Sequence, residues 1–284
     1  MLELFLIAAY VLPLIGVANF ADGRKRLYPF LAILTFGFVN VSGLWRWCAA
    51  AVRRLSVAGA PAFDPDKPVH RTAAFLLILG FLMLLGINLT NEIASDGEGF
   101  VIALPDAMLL LLGTGALHLA AAFLGVGWAM RRRLPDVLRR LCLQMPTPWE
   151  AGISLTVGVG LWMLSTGAAA VWELTAPVDV FQEQTELARQ YFQVFSGSPA
   201  AALMLAVVPA VSEEIFFRGA LQPVFGVFLT SLFFSVGHLQ YGLTPALLIL
   251  FAVSLGFSWL RLRFCTSAAI IAHAVYNLLP FVTG

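Results

Sequence analysis

Charge is what this chain has least of. Of its 284 residues only 17 are Lys or Arg and 16 are Asp or Glu, about half the charged share of an ordinary soluble domain. The two signs nearly cancel, at +1 overall, which leaves no electrostatic basis for nucleic acid or a strongly acidic partner. Cysteine is scarce as well. Cys48, Cys142 and Cys265 are odd in number and scattered, so they offer neither a disulfide framework nor zinc-type spacing and read as packing thiols. The opening run "MLELFLIAAYVLPLIGVANF" has no basic region before it and no small-residue cleavage site before "ADGRKR", so it reads as a retained first span, not a signal peptide. Internal repeats and low-complexity tracts are absent.

What fills the chain is apolar: 60% of the residues are hydrophobic. Runs long enough to cross ~30 Å of hydrocarbon predict an all-α, polytopic integral-membrane helical bundle. After the first span, apolar runs recur at Tyr28 to Ala50, Thr72 to Thr90, Asp106 to Met130, Ala151 to Trp172, Pro199 to Leu221, Val224 to Tyr241, Thr244 to Leu262 and Ser267 to Val282. About eight or nine transmembrane segments are expected, the second carrying the weakest claim. They form one integral-membrane domain over residues 1–284, with no motif in 1–196.

Orientation follows from the basic residues. "RRRLPDVLRRLCLQMPTPWE", "RRLSVAGAPAFDPDKPVHR" and "RLRF" share the cytoplasm if nine spans run from an inside N-terminus to an outside C-terminus. "NEIASDGEG" and the acidic connector from Glu173 to Glu186 then lie outside. "DGRKR" at Asp22 to Arg26 contradicts that scheme, unless the second segment is re-entrant.

Against this background the stretch "VSEEIFFRG" stands out. A charge at mid-bilayer costs roughly 2.5 to 3.5 kcal/mol, so Glu213, Glu214 and Arg218 must face protein or trapped water. Glu214 and Arg218, four apart, share a helical face and read as an ion pair; Glu213 points about 100° away and is left unexplained by that pairing. The next span, "FLTSLFFSVGHLQYG", carries His238 after Phe234, with Ser235 and Gly237 small enough for close helix approach. The last, "SAAIIAHAVYNLLP", places His273 and Asn277 on one face at adjacent turns. His70 and His118 lack such company and read as ordinary packed histidines.

Glu213-Glu214-x-x-x-Arg218, Phe234-x-x-x-His238 and His273-x-x-x-Asn277, in this order on separate apolar helices, resemble the three signature motifs of the CPBP (Abi) family, which comprises CAAX-type prenyl-protein proteases and bacteriocin-processing and immunity proteins. The resemblance spans about Ala201 to Pro280 and marks 197–284 as a CPBP-like catalytic core. It implies a metal-free, cofactor-free intramembrane endopeptidase of the glutamate type, cleaving membrane-anchored or C-terminal-tail peptides. Glu213 is then the general base and His238 its partner on the attacking water. His273 and Asn277 donate to the oxyanion, and Glu214 with Arg218 supports the catalytic helix. The implied partners are the lipid bilayer and a membrane-anchored peptide or protein; the short connectors and the lack of an obvious organelle signal point to a bacterial inner membrane.

Three rivals remain open at this point. Glu213, His238 and His273 suffice for a three-ligand zinc site, although there is no H-E-x-x-H. Intramembrane Glu and His also build proton relays in transporters, although here they crowd into the last third of the chain. An immunity or binding protein retains such motifs without turnover. Serine chemistry is disfavoured by the lack of G-x-S-x-G, and an aspartyl-type dyad by the lack of a second carboxylate-bearing helix.

Overall fold

The structure, a computed structural model, describes residues 2–22, 27–55, 62–94, 103–239 and 244–283. Most of the "DGRKR" cluster, the start of "GAPAFDPDKPVHR", residues 95–99 of "NEIASDGEG" and the side chains of Glu183 and Glu186 lie outside the described residues.

Helices account for the described chain: α1 Leu2–Ala21, α2 Tyr28–Leu34, α3 Ser42–Arg54, α4 Pro68–Ala94, α5 Leu104–Gly125, α6 Leu134–Leu141, α7 Pro148–Thr175, α8 Val178–Ser196, α9 Pro199–Glu213, a π-helix Glu214–Leu221, α10 Gln222–Val236, α11 Pro245–Arg263 and α12 Thr266–Thr283. Proline occupies the first positions of most of them, at Pro29, Pro68, Pro105, Pro135, Pro148, Pro199, Pro223 and Pro245. Its fixed φ suits a helix start, and its missing N–H would have had no intrahelical partner there. At α7 the start is sealed further by a capping box, in which Thr147 N–H donates to the Glu150 carboxylate at 2.7 Å and Glu150 N–H to the Thr147 hydroxyl at 3.3 Å.

Among the described residues seven segments are long and apolar enough to cross a bilayer, namely Glu3–Ala21, Pro68–Gly86, Leu104–Gly125, Pro148–Thr175, Pro199–Val236, Pro245–Arg263 and Thr266–Thr283. The chain is therefore an all-α, multi-pass integral membrane protein. Large apolar side chains stay exposed on its surface, among them Ile33, Met163 and Leu174, as lipid contact allows. The fifth segment, 38 residues long, is too long for a single pass of ~20 residues. It breaks at Gly226, whose φ of 82° and ψ of 174° belong to a region that side-chain-bearing residues avoid. Beyond the break the chain doubles back, so that Phe234 meets Phe217 edge-on at 5.4 Å. The expected division between 199–221 and 224–241 thus holds up to residue 239, residues 240 and 241 lying outside the described residues, and counting the two limbs separately gives eight candidate passes among the described residues.

The second apolar run holds no helix long enough to cross. Helix α2 stops at Leu34, Phe36 and Gly37 take positive φ of 51° and 79°, a short 3₁₀ turn Phe38–Asn40 follows, and α3 then carries Arg46, Arg53 and Arg54. Removing this span moves the N-terminal end of α1 to the opposite side from the nine-span scheme and returns Asp22 to the basic connectors. Contacts agree with this. Arg131 pairs with Asp22. Ala62 N–H donates to the Pro223 carbonyl at 3.2 Å. Arg140 reaches the Gly219 carbonyl at 3.0 Å, and Thr266 donates to the Leu141 and Cys142 carbonyls. The connectors α1–α4, α5–α7, π–α10 and α11–α12 therefore gather at one basic end of the bundle.

Candidate active site

The charged stretch sits where helix geometry changes. Pro209 inside α9 supplies no N–H to the helical ladder, and from Glu214 the chain widens into the π-helix that runs to Leu221. Such one-residue expansions re-aim side chains and occur frequently at functional sites. Here Glu213 closes α9 and Glu214 opens the π-helix, so the neighbouring carboxylates enter different surroundings.

Glu214 is fully buried and tied down. Its Oε1 accepts from His273 Nδ1 at 2.8 Å and lies 3.1 Å from an Arg218 guanidinium nitrogen. The ion pair expected from the four-residue spacing is present, with a histidine from the last helix added to it. Arg218, also fully buried, donates to the Ser254 hydroxyl at 2.7 Å and to the Ser254 carbonyl at 3.3 Å. Its guanidinium lies 4.4 Å above the Phe234 ring and 5.4 Å from that of Phe257, where the ring faces attract the cation. One turn on, Gln222 donates to the Ser258 carbonyl at 3.2 Å, and Ser231 meets the Ser258 hydroxyl at 3.3 Å. The π-helix, α10 and α11 are thus joined by a small polar ladder in an apolar interior.

Phe234 organises the two histidines. Its ring lies 4.8 Å from that of His238 and 5.9 Å from that of His273, while His273 stacks on Phe257 at 4.8 Å. His238 Nδ1 is 2.8 Å from the Phe234 carbonyl. A carbonyl can only accept, so Nδ1 carries the proton and Nε2 of neutral His238 is an acceptor. The same reasoning at His273 puts a proton on Nδ1, toward Glu214; only the imidazolium form donates from Nε2 as well. Asn277, half-buried, follows His273 by one turn of α12.

Glu213 lacks the Arg218 and His273 contacts that hold Oε1 of its neighbour. Oε2 of Glu213, like Oε2 of Glu214, is buried without a hydrogen-bond partner, although the Glu213 carboxyl lies close enough to His273, Glu214 and Arg218 to feel their charges. A buried carboxylate oxygen with no partner is costly unless something else occupies the place. Among the described residues no three His, Cys, Asp or Glu side chains come together at metal-ligand spacing.

The structure brings Glu213, Glu214, Arg218, His238 and His273 into one cluster, with Asn277 a turn away on the same helix. Sequence reasoning missed Ser254, Gln222 and Ser258, although Ser254/Ser258 repeats the four-residue spacing of Arg218/Gln222. It also placed His118 among unremarkable residues. His118 of α5 stacks on Phe216 at 5.0 Å, meets Phe217 at 6.1 Å and lies within electrostatic range of His238. Its Nδ1 is buried without a partner. Helix α5 gets this close because it has Gly115, where a Cβ would sit 2.9 Å from Val208 and 3.4 Å from the Ser212 hydroxyl. His70, by contrast, takes a local role at the basic end, its Nδ1 accepting from Asp64 N–H at 3.0 Å.

Residues 195–279 match the family described as Type II CAAX prenyl endopeptidase Rce1-like. All three motifs fall within the match, in agreement with the CPBP resemblance read from the residues. No curated protein and no solved structure matches the chain.

Proposed function

We propose that the chain is a CAAX-protease-like intramembrane endopeptidase of the glutamate type, with residues 197–284 as its catalytic core. The observation that carries the reading is Glu213: a buried carboxylate oxygen without a partner, beside a second glutamate whose Oε1 is taken by both Arg218 and His273. One carboxylate is held as structure and the other is left for chemistry.

In the proposed reaction Glu213 takes a proton from a water molecule that attacks the scissile carbonyl. The lone pair on His238 Nε2 accepts the water's second hydrogen and fixes its orientation, because Nδ1 is occupied by the Phe234 carbonyl. As charge moves onto the carbonyl oxygen, the Asn277 amide and His273 in its imidazolium form donate to it. Glu214, held by Arg218, stabilises that imidazolium. The proton on Glu213 then passes to the leaving amine. Nothing in these steps requires a metal ion. The substrate is a peptide tethered to the bilayer near its C-terminus, and the family match makes a prenylated tail the first to try.

The test uses purified full-length protein and its Glu213→Gln variant in detergent with chelator, against membrane-anchored peptides with and without a C-terminal prenyl group. Wild type is expected to cleave at least one peptide in chelator, and the variant none. Equal cleavage by both proteins would remove Glu213 from the reaction. Activity lost in chelator and restored by zinc would replace the mechanism with a metal-dependent one.

A further inference from the structure

At the basic end of the bundle, guanidinium groups outnumber the carboxylates that neutralise them. Arg131, Arg132, Arg139 and Arg140 come from the α5–α7 connector and Arg261 from the last turn of α11. Their acidic neighbours are Asp22, paired with Arg131, and Asp136, paired with Arg139. Arg132 spends one nitrogen on the Val126 carbonyl. Arg140, half-buried, donates to the Gly219 carbonyl at 3.0 Å. Burial, together with the nearby Arg132, Arg261 and Arg131, pushes the Arg140 guanidinium down to about 10; each charged neighbour is a cation. The Nε of Arg261 is buried with no hydrogen-bond partner. Exposed Leu134 and Leu262 adjoin the cluster in sequence, so apolar surface continues directly from the charge.

We infer that Arg132, Arg140 and Arg261 form a seat for the phosphate of an anionic phospholipid headgroup, with the acyl chains running over the apolar surface beside Leu134 and Leu262. A phosphate supplies what the protein does not: oxygen acceptors for the unused guanidinium N–H groups and negative charge among like charges. Basic pockets between transmembrane helices on the cytoplasmic side are suited to such headgroups. The seat also touches the catalytic element. Gly219, whose carbonyl Arg140 holds, lies one residue beyond Arg218 on the π-helix, and its Cα faces Leu141 closely enough that a Cβ would meet the Leu141 carbonyl at 3.2 Å. A bound phosphate fixes Arg140, and Arg140 fixes the end of the helix that carries Glu214.

The inference is independent of the peptidase reading, and binding alone tests it. Full-length protein in neutral detergent is titrated with phosphatidylglycerol, phosphatidylcholine or inorganic phosphate, following the melting temperature and the number of retained lipids by native mass spectrometry. Phosphatidylglycerol is expected to bind and raise the melting temperature; the other two are not. Arg132→Gln and Arg261→Gln should each weaken binding about fivefold, equivalent to ~1 kcal/mol per guanidinium, whereas Arg54→Gln, exposed at the same end, should leave it unchanged. Arg140→Gln also cuts the Gly219 tie and is expected to unfold at lower temperature, so the other two variants carry the test. An equal loss in Arg54→Gln would mean diffuse surface attraction and overturn the seat. An equal response to inorganic phosphate would make it a free-anion site and overturn the lipid assignment. Absence of phosphatidylglycerol binding would overturn it altogether.

Discussion

Two adjacent glutamates divide the work at the residue scale, and their partners say how. Glu214 is locked between Arg218 and His273 with no exposure, so removing either charge of the ion pair strands the other in a low-dielectric interior at a cost of ~3 to 5 kcal/mol. Glu214→Gln and Arg218→Ala are therefore expected to melt well below wild type, whereas Glu213→Gln, which breaks no ion pair, should melt close to wild type and lose turnover. Equal melting temperatures for the three variants in one detergent would contradict the division. Asn277 permits a cleaner kinetic statement, because its amide neither titrates nor acts as a base. If it donates to the developing oxyanion, Asn277→Ala should lower kcat by about 10² to 10³ with KM nearly unchanged. Asn277→Asp, similar in size but presenting a carboxylate to the oxyanion, should do no better. Near-wild-type kcat in both variants on a fluorogenic membrane peptide would return Asn277 to helix packing.

Among the elements, α12 sets the site because it carries both His273 and Asn277, and its position is set by α7. At Gly158 the two backbones approach so closely that a Cβ would lie 2.5 Å from the Ala272 carbonyl and 3.1 Å from the Ala272 Cα. Backbone cannot rotate out of the way as a side chain can, so Gly158→Ala must push the helices apart at the residue preceding His273. A stability loss of about 1 to 3 kcal/mol is expected, together with a fall in kcat, since a displacement of ~1 Å is enough to spoil a proton-transfer geometry. Gly160→Ala in the same helix, where a Cβ meets nothing within 4 Å, is the control and should retain both properties. Thermal melts and single-substrate kinetics on the pair decide the point; a Gly160 variant as impaired as the Gly158 one would show that the effect lies in α7 itself.

For the whole molecule, the legible and illegible parts divide along a physical line. Apolar run length announces a membrane bundle directly, and a charge inside such a run announces a candidate site, so Glu213, Glu214, Arg218, His238 and His273 could all be picked out as candidates from the sequence. What a linear reading cannot supply is which apolar surfaces face one another. His118 therefore looked isolated, and Ser254 and Ser258 looked like ordinary small residues, until α5 and α11 were in place. The nine-span alternative, and not the eight-segment one, is disfavoured for a related reason: the composition of Tyr28 to Ala50 suits a span, but the positive φ at Phe36 and Gly37 ends the helix early. Parity then flips the N-terminal half. With eight passes in place of nine, the outer ends of α1 and α12 lie on the same side, and every connector at the Asp22–Arg131 end lies on the other. Of the fourteen described Lys and Arg residues, only Arg189 and Arg218 fall outside the segments that join at that end or the helix turns beside them, so the positive-inside rule orients it toward the cytoplasm. Epitope tags at either end of the chain should accordingly be reachable by antibody on intact spheroplasts of a bacterial expression host. A cysteine placed at Met145, on the exposed α6–α7 connector, in a background free of Cys48, Cys142 and Cys265, should react with an impermeant thiol reagent only after the membrane is opened. An N-terminal tag shielded in intact spheroplasts while the C-terminal tag is reached would restore nine spans. It would also require the 28–50 segment to cross the bilayer after all.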